Sequence, residues 1–498
     1  MALEGKLITK LEPSIKLDEH KFKAYDEQEG ENPGDNNTSR SLGVEFPFIS
    51  VNGYRFQKND INSFEISMEG VIPTINISIT DSQSFFIADN YPRDGDVVSV
   101  RLASRAKETY KDIKIDFDID GVESTPKTGL DQGTGGAKYA FTGKMKIPGL
   151  YAEQCKAYGT GTTIKHLETI ATDLQLGFAS NVDTTDDEMT LLTPYEPIID
   201  TIENLVQHSY INEDAFQTFS IDPYYNINYV DLNVLLNAAG DFEDALVAMD
   251  DDFNDTTHPD ASENTNEIES PLVLSSQEKM NGTNLHVKKF ALKNNAGKKV
   301  KQNGYKRTIQ YFENDSEEGL LNFDIEALTS NKIKEIEAPL RGRQDEERYK
   351  TEVKYKYVGR RHSDPESSNT HLNYNFAKIH NTQNLEELDK LKLEIELSTW
   401  NPAIYRWQKI PVVIFNETQK QVVADNNLKD KKEELGFESQ DKADFDDDLA
   451  AKSTVDEFLT GFYIVGAMKY IYKKSDAKIK QQLTLLRREW PSRINNLG

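Results

Sequence analysis

The chain has 498 residues, with 58 Lys+Arg against 84 Asp+Glu, a formal net charge of -26 and a single cysteine, Cys155. One cysteine excludes intrachain disulfides and thiolate zinc clusters, and the acidic balance argues against nucleic acid as the main ligand, because a polyphosphate is held by local positive potential. No secretory apolar core follows Met1, and the longest apolar stretch, Gly461 to Met468, falls far short of the roughly 20 residues that span a bilayer, so a soluble chain of about three domains is expected.

Residues 1–45 read as an arm. Glu27 to Ser39 holds no apolar residue and contains Pro33 and Gly34, so it cannot offset its own ordering entropy. From Phe46 the pattern has period two: Ile75, Ile77 and Ile79 alternate with Asn76, Ser78 and Thr80, and Ile113, Ile115, Phe117 and Ile119 with Lys114, Asp116 and Asp118. Val98-to-Leu102 and Tyr139-to-Ile147 add further strands. One wet face implies antiparallel pairing, and a first β-barrel is expected over 46–150.

The texture over 151–240 is mixed α/β. Gly159-Thr-Gly-Thr-Thr reads as a loop feeding the cap of a helix with Ile164, Leu167, Ile170, Ala171 and Leu174 on one face, and Gly177 is placed at its left-handed end. Thr193-Pro-Tyr-Glu196 has capping-box spacing before a second helix with Ile198, Ile202, Leu205 and Val206 inward, although Pro197 leaves open a start one turn later. Asp214–Ile221 and Asn226–Val230 read as a strand pair joined through Asp222-Pro223.

Next, 241–269 carries eleven Asp or Glu and no Lys or Arg, whereas 279–312 carries nine Lys or Arg and no Asp or Glu. These abutting blocks are the sharpest charge shift in the chain. Strand texture at Leu272–Leu274 and Leu285–Leu292 places the start of a second barrel within 241–294, followed by an insertion domain at 295–370. The second barrel proper is expected over 371–490, with a charged insertion at 425–458 and a short tail at 491–498.

No catalytic, cofactor or metal residue is assigned. There is no Gly-x-Ser-x-Gly elbow, and Cys155 has no neighbouring histidine. His362, His371 and His380 are nine apart, which does not put ligands on one helical face, so surface or strand positions are expected. Asp250–Asp255 lacks the glycine and closing glutamate of a calcium loop. Glu335 to Gln344 reads as a helix cap and loop, and Tyr224-Tyr225, Trp400, Tyr405 and Trp407 as core or interface. In the basic block, Lys298, Lys299 and Lys301 are candidate subunit-interface residues facing an acidic partner.

Thr162-to-Ala171, Pro197-to-Leu205 and Ser209-to-Phe216 with Tyr229-to-Asn233 resemble the middle of the baseplate hub proteins of contractile-tailed bacteriophages. Asn373-to-Asn381, Leu391–Leu397 and Ile410–Phe415 are similar to that family's second barrel, and Gly461–Val465 with Leu483–Trp490 resembles its closing strands. The resemblance implies an α+β, mainly β chain with two tail-tube-like antiparallel β-barrels around an α/β module, related to the hub part of type VI secretion spike proteins. It implies a homotrimer that adapts a sixfold tail tube to a threefold central spike in the virion baseplate, assembled in the host cytoplasm. Tail tube, spike, other baseplate proteins and tape-measure protein would be its partners, and genome DNA would pass without specific binding or any membrane insertion. Carboxylates of 241–269 and 425–458 are expected to face the channel or outer solvent, with 279–312 meeting another subunit. The alternatives are a tail-associated cell-wall hydrolase and a glycan- or receptor-binding tail protein.

Overall fold

A computed structural model describes residues 6–22, 47–81, 86, 91–103, 111–125, 137–237, 272–274, 287–294, 306–314, 334–339, 350–360, 370–371, 373–389, 391–397, 400–401, 404–414, 459–476 and 479–487. The chain is α+β and mainly β. Strand β1 (Ile8–Leu11) and a 3-10 turn (Glu19–Phe22) are followed by β2 (Phe48–Val51), β3 (Tyr54–Arg55), β4 (Ile61–Ser67), β5 (Thr74–Asp81), β6 (Val97–Leu102), β7 (Ile113–Thr125) and β8 (Ala137–Met145). The last seven form one antiparallel run in the order β3-β2-β6-β7-β8-β5-β4. Its inward residues are the alternating apolar set: Ile75, Ile77, Ile79, Ile113, Ile115, Phe117 and Ile119 are all buried. Each such side chain contributes about 1.5–3 kcal/mol by leaving water, which specifies the register, since a one-residue slip would expose all of them.

Next come β9 (Glu153–Gly161), α1 (Thr163–Asp173), β10 (Gly177–Ser180), β11 (Met189–Pro197), α2 (Ile198–His208), β12 (Gln217–Ile221), β13 (Asn226–Asp231) and α3 (Leu232–Asn237). A four-stranded sheet β1-β10-β13-β12 carries the helices, and β9 pairs with β11 as a separate ribbon. Ile164, Leu167, Ile170 and Ala171 of α1 are buried as their spacing requires.

Three local expectations are corrected here. Gly159 to Gly161 is not a loop: it ends β9, and Thr162 alone is the cap, its side chain accepting from Lys165 N. The left-handed residue after α1 is Gln175 (φ 59), not Gly177, which lies in β10. Gly177 is small for a different reason: an added Cβ would stand 2.8 Å from Leu11 O and 2.9 Å from Pro13 Cδ, so its hydrogen seats the arm. Thr193 to Glu196 is strand rather than capping box; α2 starts after Pro197 with no side-chain cap, and Thr193 Oγ1 instead accepts from Lys156 N across the ribbon.

The described part of the arm, residues 6–22, docks on the fold. Ser14 and Ile15 N–H donate to Gln175 O at 3.0 and 2.9 Å, Leu11, Ile15 and Leu17 pack on the core, and Arg101, ion-paired to Asp112 at 2.6 Å, donates to Phe22 O.

The remaining elements are β14 (Leu272–Leu274), β15 (Val287–Asn294), β16 (Lys306–Asn314), β17 (Lys334–Pro339), β18 (Lys350–Arg360), α4 (Tyr374–Leu388), β19 (Leu391–Leu397), β20 (Lys409–Ile414), β21 (Gly461–Lys473) and β22 (Ile479–Leu486). Strands β16, β17 and β18 make a small mixed sheet of their own. Lys334–Pro339 is therefore strand, not the helix cap expected for Glu335 onward; 340–349 lie outside the described residues. Asn373-to-Asn381, likened to barrel sequence, opens helix α4, which packs on α2. The others form the run β15-β19-β22-β21, with β20 on β21 and β14 parallel to β20.

The two antiparallel runs are one sheet. The first half of β21 pairs with β20 (Val412↔Gly461 to Lys409↔Ile464), and its second half pairs on the same edge with β4 (Lys469↔Ser67 to Lys473↔Ser63). A single long strand is shared, and one apolar core runs beneath both halves and under α1 and α2.

Candidate assembly surface and sheet junction

Several strands keep an unpaired edge among the described residues, and two stretches of the long sheet stand out. Strand β15 is hydrogen-bonded to β19 on one side and to no described strand on the other, although β14 comes near it. The register Phe290↔Ile395 and Leu292↔Leu393 puts Phe290 and Leu292 on the core face, yet they are 42% and 40% exposed. The core-facing row therefore continues into a part of the sheet that the described residues cover only partly. The second open edge is on β7: β6 accompanies it only from Ile113 to Asp118, and Gly121 to Thr125 pair with β8 alone. Open edges of this kind are templates for another chain.

The described wet face between these edges carries both charges. Near β15, Lys293 bridges Glu394, Lys480 bridges Glu396 at 3.6 Å, and Lys469 bridges Glu65 and Glu69 at 3.3 and 3.1 Å. A groove of about 300 Å³ lies over these strands, lined by Lys289, Lys293, Glu394, Glu396 and Lys469 among others. Toward β5 and β8 the outward register positions are Thr74, Asn76, Ser78, Thr80 and Thr142, with Lys138 and Lys144 among them.

At the seam between the two halves, β20 and β4 leave a notch on β21 around residues 465–468. The turn before β20 fills it. Trp407 N donates to Val465 O at 2.8 Å, and Val465 N to Gln408 O at 2.9 Å. Arg406 Nε donates to Gly466 O at 2.7 Å, while its two terminal nitrogens donate to Gly70 O and Glu69 O in the turn after β4. Three carbonyls, two from the first half and one from the second, converge on one guanidinium. Burial pushes the Arg406 pKa down to about 10, with Glu69 opposing. Gly466 lies at the register shift of β21, where an added Cβ would meet Leu486 Cδ1 at 2.4 Å. Trp407 takes the left-handed conformation (φ 68) that a glycine turn would normally supply. Its indole offsets that strain: it is buried in a cluster with Phe216, Leu235, Leu388 and Ile464, and its Nε1 donates to Ser220 Oγ at 2.9 Å, tying in β12.

Lys298, Lys299 and Lys301 lie outside the described residues, as do 241–269, 425–458, Asp250–Asp255 and His362. The other two histidines are not in strands, and only His371 is fully buried. His371 is buried with Nε2 2.8 Å from His208 O, and His380 is in α4. Trp400, Trp407 and Tyr225 are buried, as core placement requires; the Tyr225 hydroxyl accepts from Asp116 N at 3.1 Å. Cys155 is exposed on the ribbon. Among the described residues there is no group of three or more His, Cys, Asp or Glu able to hold a metal, and no helix long and apolar enough to cross a membrane. Sequence reasoning misses Arg406 altogether. Its only signal is Trp407 standing where a glycine is expected before Ile410.

No family model and no curated protein matches the sequence. Among solved structures, the chain is similar to the 43 kDa tail protein of prophage MuSo2 from Shewanella oneidensis, with 9% identity over 89% of this chain and 97% of that one, TM-score 0.46. It is similar to a tail protein from Neisseria meningitidis at 9% identity, covering 89% and 97%, TM-score 0.44. It is also similar to an E. coli component of the type VI secretion system described as structurally similar to bacteriophage T4 tail proteins, at 9% identity, covering 89% and 79%, TM-score 0.37.

Proposed function

We propose that this chain is a structural hub of a phage tail baseplate, in which three copies join into a ring that adapts a sixfold tube to a threefold spike and surrounds the channel for genome passage. The observation that carries the reading is the single sheet with two half-sheets sharing β21, open at β15 and at the far half of β7. Two related half-sheets per chain give three copies six similar wall segments. A head-to-tail contact between two different edges closes into a ring when each step turns by 120°. In that ring β15 would lie against the open half of β7 on the next copy, which would cover Phe290 and Leu292. The domain boundaries read from the sequence belong to this proposal, as does the virion location with tube, spike, other baseplate and tape-measure proteins as neighbours.

The wall would then be small polar residues, bridged lysine–carboxylate pairs and the lysines Lys138 and Lys144. Such a surface offers DNA phosphates little net attraction, which suits passage rather than binding. Lys298, Lys299 and Lys301 follow β15 directly in the chain and extend its basic character toward an acidic neighbour. The test is mass measurement of two variants, Phe290→Asp with Leu292→Asp, and Glu at 298, 299 and 301. Both should shift the chain from trimer toward monomer at unchanged folded-state circular dichroism; trimers as stable as those of the parent chain would remove β15 and its continuation from the interface.

A further inference from the structure

We propose that Arg406 is a positioning residue that holds the two half-sheets at one fixed angle. Where β20 and β4 both stop against β21, the notch between them is a natural pivot. β21 is also irregular there, shifting register between Val465 and Ala467 and carrying Gly466. An interrupted ladder bends and twists more easily than a regular one. The guanidinium spans this interruption, bonding Gly466 O on the shared strand and Gly70 O and Glu69 O on the turn that closes β4. Its planar fork has fixed donor directions, so it defines the relative placement of three carbonyls in a way that a flexible ammonium does not. The Arg406 guanidinium carbon also lies 4.7 Å from the Trp407 ring centroid, which anchors the clamp to the turn carrying it. Ile221 N donates to Val71 O at 2.7 Å, so the α/β module touches the same turn and moves with it.

A residue that merely stabilises would lower the unfolding midpoint and leave the geometry alone. One that sets an angle must change a distance in the folded chain. The test therefore uses a Cys155→Ser background with spin labels at Asp94→Cys in the first half and Lys392→Cys in the second, measured on the isolated chain. Arg406→Met should broaden and shift the inter-label distance distribution while the unfolding transition remains cooperative, and Arg406→Lys should give an intermediate width. An unchanged distribution in both variants, whatever happens to the midpoint, overturns the proposal. Should the methionine variant fail to fold, the lysine variant alone decides. On the hub reading, three copies close only if each presents its edges at the same angle, so Arg406→Met should also lose the trimer. A wild-type chain that is monomeric would sink the hub reading and leave the distance result standing.

Discussion

At the residue scale, several polar groups are held inside the fold by short-range partners, and one of them titrates in an accessible range. Asp231 is buried, and burial pushes its pKa up to about 6, opposed by the backbone N–H groups of Asn233 and its neighbours. Between about pH 4 and pH 6 the folded chain keeps a proton that the unfolded chain has released, so this group's contribution to stability falls as pH rises through that window. Above it the burial costs on the order of 3 kcal/mol. Asp231→Asn retains an acceptor for Asn233 N without the charge. It should raise the urea midpoint at pH 8 and flatten the stability profile between pH 4 and 7; an unchanged profile would show that the carboxyl is not desolvated in the folded chain. Asp222 is shifted upward by burial too, but its side chain accepts from Tyr224 N, Asn226 N and the side chain of Asn228, which favours the ionised form.

At the scale of elements, the strands are largely legible in the sequence and the fourth helix is not. Strand alternation survives because one face of each is dry and the other wet, so every second residue reports the fold. Helix α4 buries Ala377, Ile379 and Leu388, but its tightest attachment is an asparagine. Asn381 Nδ2 donates to Gln207 O and Ser209 O at 3.0 and 3.2 Å, and its Oδ1 accepts from Gln217 N at 3.3 Å. The carbonyls at the end of α2 are thereby satisfied by a side chain more than 170 positions away in the chain. Nothing in local periodicity encodes that. His208 and Tyr374 stack at 3.6 Å between ring centroids along the same seam. Asn381→Ala should cost about 2–4 kcal/mol by leaving buried carbonyls and an N–H unpaired, and hydrogen exchange should rise in α4 and the last turn of α2 before it rises in the sheet. A uniform rise would instead mean that α4 unfolds only with the whole chain.

At the scale of the molecule, the sequence shows two β-rich stretches and a module between them, but not that the stretches share a strand. In sequence Phe462–Val465 and Ala467–Tyr472 read as separate strand stretches; the structure joins them as one strand, and the partner each half takes comes from distant parts of the chain. Arg406 is hidden for the same reason, with carbonyl partners 60 and 336 positions away. Charge is the feature most easily over-read from composition. A net charge of -26 suggests a carboxylate-lined channel, whereas the described wet face of the sheet mixes ion-paired acids with lysines and small uncharged residues. The acid-only and base-only blocks lie mainly outside the described residues, so their placement belongs to the assembly proposal.

The central claim is that two unlike stretches left unpaired among the described residues, β15 and the far half of β7, are covered by a second copy of the chain. Mass measurement of the purified wild-type chain tests it most directly. The account predicts a trimer of about 170 kDa, three times the 56.6 kDa chain, stable on dilution; a chain that stays monomeric at every concentration, with β15 still exposed, would contradict it.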